Sequence, residues 1–343
     1  MLTLDSTKQR ATGPRRFSYA FIAAVFVLAG WLHLGGPFVV TLFAFLALTK
    51  LCFLKRGGKA LALVLFFLFI AAAVYAFAYF IHLAVRQLPD IADRAIPSII
   101  DWAQNHQIEL PFTDYDSLKT AGAEMIRKQA SYLGGAARFA RGATEQFIFA
   151  VAGCAVAIGL FLNPRFELGG RAAAPGNLYS LTCSEIEERF RTFYQSFTTV
   201  MGAQVVIAAI NTVLTAIGLI AMGIPYVPVL VGLTFFWGLV PIVGNLISGT
   251  IIVGMALSVS PLKALIALGF LLFIHKLEYF LNTRIVGQRI RTPFWLTMVG
   301  LVLGERLMGV PGMILAPVIL NYLKLEASNL PARTENEEEA SGE

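Results

Sequence analysis

Thr192–Leu262 reads TFYQSFTTVMGAQVVIAAINTVLTAIGLIAMGIPYVPVLVGLTFFWGLVPIVGNLISGTIIVGMALSVSPL, 71 residues without a Lys, Arg, Asp or Glu. One bilayer crossing takes about 20 apolar helical residues. The stretch is therefore too long for one helix and long enough for roughly three passes. A helix buried in a soluble core has no reason to run this far without charge. Residues 17–49, 60–85 and 146–164 are charge-free in the same way. Over the whole chain of 343 residues, 57% are hydrophobic and 14% charged, where soluble domains carry about 25% charged residues. This composition excludes an ordinary soluble globule, a disordered chain and a small disulfide-stapled domain. It predicts an all-α, polytopic membrane protein of about eight hydrophobic segments.

Charge placement divides the chain. Residues 1–16 form a basic N-terminal tail with Lys8, Arg10, Arg15 and Arg16. Residues 17–85 hold three spans, and Lys50, Lys55, Arg56 and Lys59 sit in the loop between the second and third. Two intervening spans put both basic groups on one side, which the positive-inside rule makes the cytoplasm. Residues 86–142 balance seven basic against seven acidic residues and contain Pro89, Pro97 and Pro111. They read as short amphipathic helices outside the membrane, either a water-facing cap or an interfacial, oligomerising subdomain. A fourth span follows at 143–163. Residues 164–198 form a cytoplasmic loop and an amphipathic helix, for which Ser184-Glu185-Ile186-Glu187 fits a capping box. Its aromatic face, Phe190, Phe193, Tyr194 and Phe197, reads as packing. Residues 199–325 are the candidate transport core. Residues 326–343, with Glu335, Glu337, Glu338 and Glu339, read as a disordered acidic tail. Both termini are expected in the cytoplasm.

Two segments of the core are interrupted. Val229–Val240 is 12 residues, about 18 Å of helix, short of a hydrocarbon core of roughly 30 Å. Pro241-Ile242-Val243-Gly244-Asn245 follows, then the similarly short Leu246–Val259. The plan repeats from Thr292 to Leu323, broken at Glu305-Arg306 and at Gly309-Val310-Pro311-Gly312. Non-helical backbone is tolerated in a bilayer only when it is buried in protein or lines a wet cavity. Paired breaks of this kind point to a transporter's binding site. The plainer alternative is that Pro and Gly merely kink packed helices. Re-entrant hairpins and full kinked spans both fit the pattern, and the hairpins keep Arg284, Arg289 and Arg291 on the cytoplasmic side.

Few ionisable residues fall inside the spans, and each is costly there unless paired. His275 and Glu278 are three apart, and Glu278 and Asn282 four apart, so the three share one helix face. Lys276 points elsewhere. This stripe reads as a proton, cation or solute relay, or else as one side of a buried ion pair such as Glu278 with Arg306. The candidate path therefore comprises Pro241, Gly244, Asn245, His275, Glu278, Asn282, Arg284, Glu305, Arg306, Gly309, Pro311 and Gly312. Gln204 and Asn211 are weaker candidates, since single amides often bridge helices.

Other chemistries find no footing. The pI of 9.3 and net charge of +6 come from basic residues beside apolar runs, so they are an orientation signal and not a nucleic-acid surface. Cys52, Cys154 and Cys183 have no CxxC spacing and suggest neither a disulfide framework nor a zinc site. The four histidines match no HExxH, and neither a GxxxxGK[ST] phosphate loop nor a GxSxG elbow occurs. No cofactor, resident metal or enzymatic activity is expected.

The C-terminal half carries Gly223-Ile224-Pro225, Val240-Pro241-Ile242-Val243-Gly244, Leu277-Glu278 ahead of Arg284-Ile285-Val286-Gly287, and Gly309-Val310-Pro311-Gly312 with Ala316-Pro317-Val318. As a set, over about 180–325, these resemble the autoinducer-2 exporter family of bacterial permeases. Thr283 departs from that pattern, where the family often has proline. The resemblance implies a multi-pass transporter of the bacterial inner membrane, surrounded by lipid and assembled as a homo-oligomer. It implies a small solute or signalling molecule as cargo, or sodium (lithium)/proton antiport. A non-transporting membrane scaffold that binds a partner through 86–142 is the remaining alternative.

Overall fold

The computed structural model describes residues 12–54, 58–105, 135–163, 178–286 and 293–328. Among these residues there are ten α-helices and no strand: α1 (Thr12–Trp31), α2 (Gly35–Leu54), α3 (Lys59–Asn105), α4 (Gly135–Leu162), α5 (Leu178–Ala221), α6 (Val227–Gly238), α7 (Val243–Leu257), α8 (Pro261–Val286), α9 (Phe294–Met308) and α10 (Val310–Ser328). Gly35–Cys52, Lys59–Gln87, Tyr179–Ala221 and Val310–Ser328 are long and apolar enough to cross a membrane. Gln146–Leu162, α6 and α7 are shorter apolar helices. The chain is thus the helical, multi-pass membrane protein that its composition predicts. Its residues fall into two compact units, a larger one within 36–162 and 202–289 and a smaller one within 1–35, 163–201 and 290–343.

In the larger unit, Ala44 and Leu48 of α2, Ala62 and Phe66 of α3, and Ala157 and Phe161 of α4 form one buried cluster. At its edge the Lys59 ammonium donates to the Leu162 carbonyl at 2.7 Å, satisfying an end carbonyl that α4 leaves without a helical partner. A second cluster joins Ala84 and Ile91 of α3, Leu219 of α5, Val229 and Leu230 of α6, Ile252, Met255 and Ala256 of α7, and Ala264, Ala267 and Leu271 of α8. The start of α6 and the end of α7 therefore share a core, so the two are the arms of an antiparallel hairpin whose tip is Leu239–Ile242. The question that the sequence leaves open for this segment is answered in favour of a hairpin.

The helix α3 is 47 residues long, about 70 Å at 1.5 Å per residue. Its apolar candidate span is Lys59–Gln87, and the helix itself runs on beyond that to Asn105 through Pro89 and Pro97. A helix-interior proline removes one hydrogen bond and crowds the preceding turn. Here Ala84 and Ile91 bracket Pro89 and are both buried against the hairpin, so tertiary packing overrides local propensity. Further along, the Arg94 guanidinium lies 5.8 Å from the Tyr226 ring at the foot of α6. Residues 106–134 of the expected outer region lie outside the described residues.

The smaller unit contains α1, residues 178–201 of α5, α9 and α10. The last two form a second antiparallel hairpin. A β-carbon on Gly304 would overlap the Gly312 carbonyl, and one on Gly312 would overlap that of Gly304. One on Gly300 would touch Ala316 and Leu320. The break between the helices is narrower than its sequence suggests. Gly309 alone departs from helical geometry, with φ 64° and ψ −143°, a conformation open essentially to glycine. Glu305 and Arg306 lie in the last turn of α9, not in the break. Pro311 and Gly312 lie in the first turn of α10, where a proline has no helical hydrogen bond to lose.

The amphipathic helix leads into the fifth span without a break, as one 44-residue helix, α5. It starts at Leu178, so Ser184 is interior and caps nothing; its hydroxyl bonds back to the Leu181 carbonyl at 2.8 Å, while Glu187 pairs with Arg191 at 3.1 Å. At the other end, α10 continues to Ser328 and takes in Glu326, the first residue assigned to the acidic tail. Residues 329–343 lie outside the described residues.

Candidate functional site

The tip of the α6–α7 hairpin is built by residues with unusual backbone needs. The helix α6 ends at Gly238, whose carbonyl accepts a hydrogen bond from Gln204 Nε2 of α5 at 2.7 Å. Ile242 then takes φ 65° and ψ −62°. A β-branched residue at positive φ is a strained exception, held in place by what surrounds it. Gly244, in the first turn of α7, has its Cα against the Trp237 carbonyl; any β-carbon there would overlap that oxygen. This close return of the chain sets the position of the next residue, Asn245.

Asn245 Nδ2 donates to Glu278 Oε2 at 2.7 Å. Asn211 Nδ2 of α5 donates to the same oxygen at 3.3 Å. One carboxylate oxygen from the middle of α8 is thus gripped by amides from two other helices. Asn211 and Asn245 are buried. Hydrogen bonds of this kind stabilise a carboxylate without supplying positive charge. His275, one turn before Glu278, borders the same small cleft, with Thr215, Thr234 and Ser248 on its other walls. The cleft has room for about one water-sized body. Asn211 Oδ1 and Thr215 Oγ1 are buried without a hydrogen-bond partner among the described residues. Around Glu278 there is therefore a carboxylate, an amide oxygen and a hydroxyl, which are the hard oxygen groups that suit a proton or a small hard cation.

Of the residues that the sequence nominates, the structure brings Asn245, His275 and Glu278 together, with Pro241 and Gly244 shaping the turn that carries Asn245. The backbone of Asn282 and Arg284 lies in α8, but their side chains are outside the described residues. Glu305, Arg306, Gly309, Pro311 and Gly312 belong to the smaller unit. There Arg306 lies beside its neighbour Glu305 at 3.8 Å, with both side chains largely exposed. Within the larger unit, the hydrogen-bond partners of Glu278 are two asparagines. Asn211 proves to be a full member of the cluster, although a lone amide in a span carried little weight. Thr215, Thr234 and Ser248 were missed. A usable signal existed: Asn211 and Thr215 are four apart and Asn245 and Ser248 three apart, so each pair presents two polar groups on one face of an otherwise apolar helix.

A family model described as AI-2E family transporter matches residues 16–325. YdbI of Bacillus subtilis (strain 168), a protein named for a transport role, is 31% identical over 153 residues. That alignment takes in 43% of this chain and 44% of YdbI, so it spans less than half the length of the relative.

Proposed function

We propose that this chain, which belongs to the AI-2E family of transporters, moves a small solute out of the cell with Glu278 as the group that takes up and releases a coupling ion. The observation that carries this reading is the grip of Asn211 and Asn245 on one oxygen of a carboxylate that makes no ion pair with a lysine or arginine among the described residues. An ionised carboxylate in a membrane helix is expensive unless something compensates its charge. A proton or a cation supplies that compensation at one stage of a cycle and leaves at another. In this reading Asn245 senses the event for the hairpin, since it sits one residue after the glycine that fixes the tip. His275 is placed to exchange the proton. Asn282 and Arg284, further along α8, continue the same path. By the same argument, a backbone break beside charge, Glu305, Arg306, Gly309, Pro311 and Gly312 form the path within their own unit. We place the protein in the bacterial inner membrane with both termini cytoplasmic, as a homo-oligomer, acting by transport and not by catalysis.

The cleft favours a second reading. Its size suits an ion better than a solute, so cation/proton antiport, with sodium or lithium as the cation, needs no larger opening. Reconstituted vesicles with an internal pH dye test both. Glu278→Gln should abolish transport while leaving membrane insertion intact, and unchanged flux would remove Glu278 from the mechanism. Sodium-driven proton movement lost in the same variant would select antiport over solute export.

A further inference from the structure

The smaller unit holds a buried ionisable cluster that the transport site does not use. Arg189 of α5 and Glu326 of α10 are 5% and 4% exposed and pair at 2.6 Å through Nη1 and Oε2. The same Oε2 accepts a hydrogen bond from the Tyr19 hydroxyl of α1 at 3.0 Å. The Tyr19 ring lies 4.6 Å from the guanidinium. Arg189 Nη2 reaches Glu185 Oε2 at 3.0 Å, one turn earlier on its own helix. Three helices therefore meet on one guanidinium.

Two features set this network apart from a static tie. Its two carboxylates differ in kind: Glu185 is fixed to the same helix as Arg189, whereas Glu326 belongs to another. Withdrawal of the end of α10 would remove Glu326 and leave Arg189 still paired with Glu185. Opening thus avoids the uncompensated buried charge that normally makes such a pair costly to break. The closed seam is also incompletely satisfied. Arg189 Nε, Glu326 Oε1, the Tyr322 hydroxyl and both amide atoms of Asn321 are buried without a hydrogen-bond partner among the described residues, and each such atom weighs against the closed state. We propose that Arg189 is the pivot of a latch, alternating between a closed state that holds Glu326 and Tyr19 and an open state in which it retains Glu185 and frees the last turn of α10.

The test uses the full chain in proteoliposomes, with Cys52, Cys154 and Cys183 changed to Ala and Asn321→Cys as the only thiol. Asn321 is 1% exposed and its amide makes no hydrogen bond among the described residues, so the cysteine reports opening without breaking one. The readout is the labelling rate with a maleimide. Glu326→Gln should raise the rate about tenfold by shifting the population towards the open state. Glu185→Gln should lower it, because the open state then has no anionic partner for Arg189 and the closed state loses a like-charge neighbour. A static network predicts that both substitutions loosen the seam, so faster labelling in both, or no change in either, overturns the latch. Should Glu326→Gln fail to fold, Glu185→Gln decides alone: it leaves the Arg189–Glu326 pair in place, and any result other than slower labelling counts against the proposal. Labelling is read without transport, so its failure leaves the role of Glu278 untouched.

Discussion

Gly244 and Gly269 are both glycines in apolar helices, yet they should respond oppositely to one added methyl. A β-carbon at 244 meets the Trp237 carbonyl, whereas at 269 nothing lies within 4 Å. Gly244→Ala should lower the thermal midpoint in detergent, at a cost of about 1–3 kcal/mol as for other overpacked sites. Gly269→Ala should hold or raise it, by up to about 1 kcal/mol of helix propensity. The same local reasoning ranks the two asparagines on Glu278. Asn245→Ala removes the 2.7 Å bond and Asn211→Ala the 3.3 Å bond. Hydrogen bonds to charged groups contribute about 1.5–3 kcal/mol. Initial flux should therefore fall about tenfold or more in Asn245→Ala and less in Asn211→Ala; the reverse ranking would move the functional contact to α5.

Among the elements, the two hairpins were legible in outline and not in detail. Charge-free runs too short for a bilayer, separated by Pro, Gly and Asn, are a pattern that reads directly from the chain, and α6, α7 and the break between them match it closely. The second break was overdrawn, because Pro311 and Gly312 read as helix breakers when counted singly. In place they are a tolerated first-turn proline and a close-packing glycine, and only Gly309 bends the chain. Gly309→Ala should accordingly destabilise the protein by about 1–3 kcal/mol, the cost of a forbidden backbone conformation, read as a lower unfolding midpoint. Gly13→Ala, with open space around it, should not. The length of α3 was illegible for a related reason: Pro89 argues locally for an end, and the buried contacts of Ala84 and Ile91 that overrule it come from helices more than a hundred residues away. Asn211 ranked low for the same cause, since its worth lies in Glu278, which is 67 residues distant.

For the molecule as a whole, the consequence of hairpins is topological. Each brings its two ends back to one side, so the orientation proposed above, with both termini in the cytoplasm, requires the helices flanking a hairpin to cross in opposite directions. Tyr226→Cys and Val259→Cys, at the two feet of the α6–α7 hairpin, should label from the same outer side with an impermeant reagent. Labelling from opposite sides would show α6 and α7 to be one kinked span. Pro293→Cys and Ser328→Cys, at the feet of the second hairpin, should react only from within. Neither α6 nor α7, at 12 and 15 residues, can leave a protein-conducting channel as a conventional span.

That brevity imposes an order on biosynthesis. The wall against which the first hairpin rests is α3, which is translated well over a hundred residues earlier and is already seated in lipid when the ribosome reaches Val227. The nascent arms can thus be handed straight from translocon to docking partner, and a chain whose Ala84 and Ile91 no longer fit them would be exposed to quality-control proteases before its last helices are made.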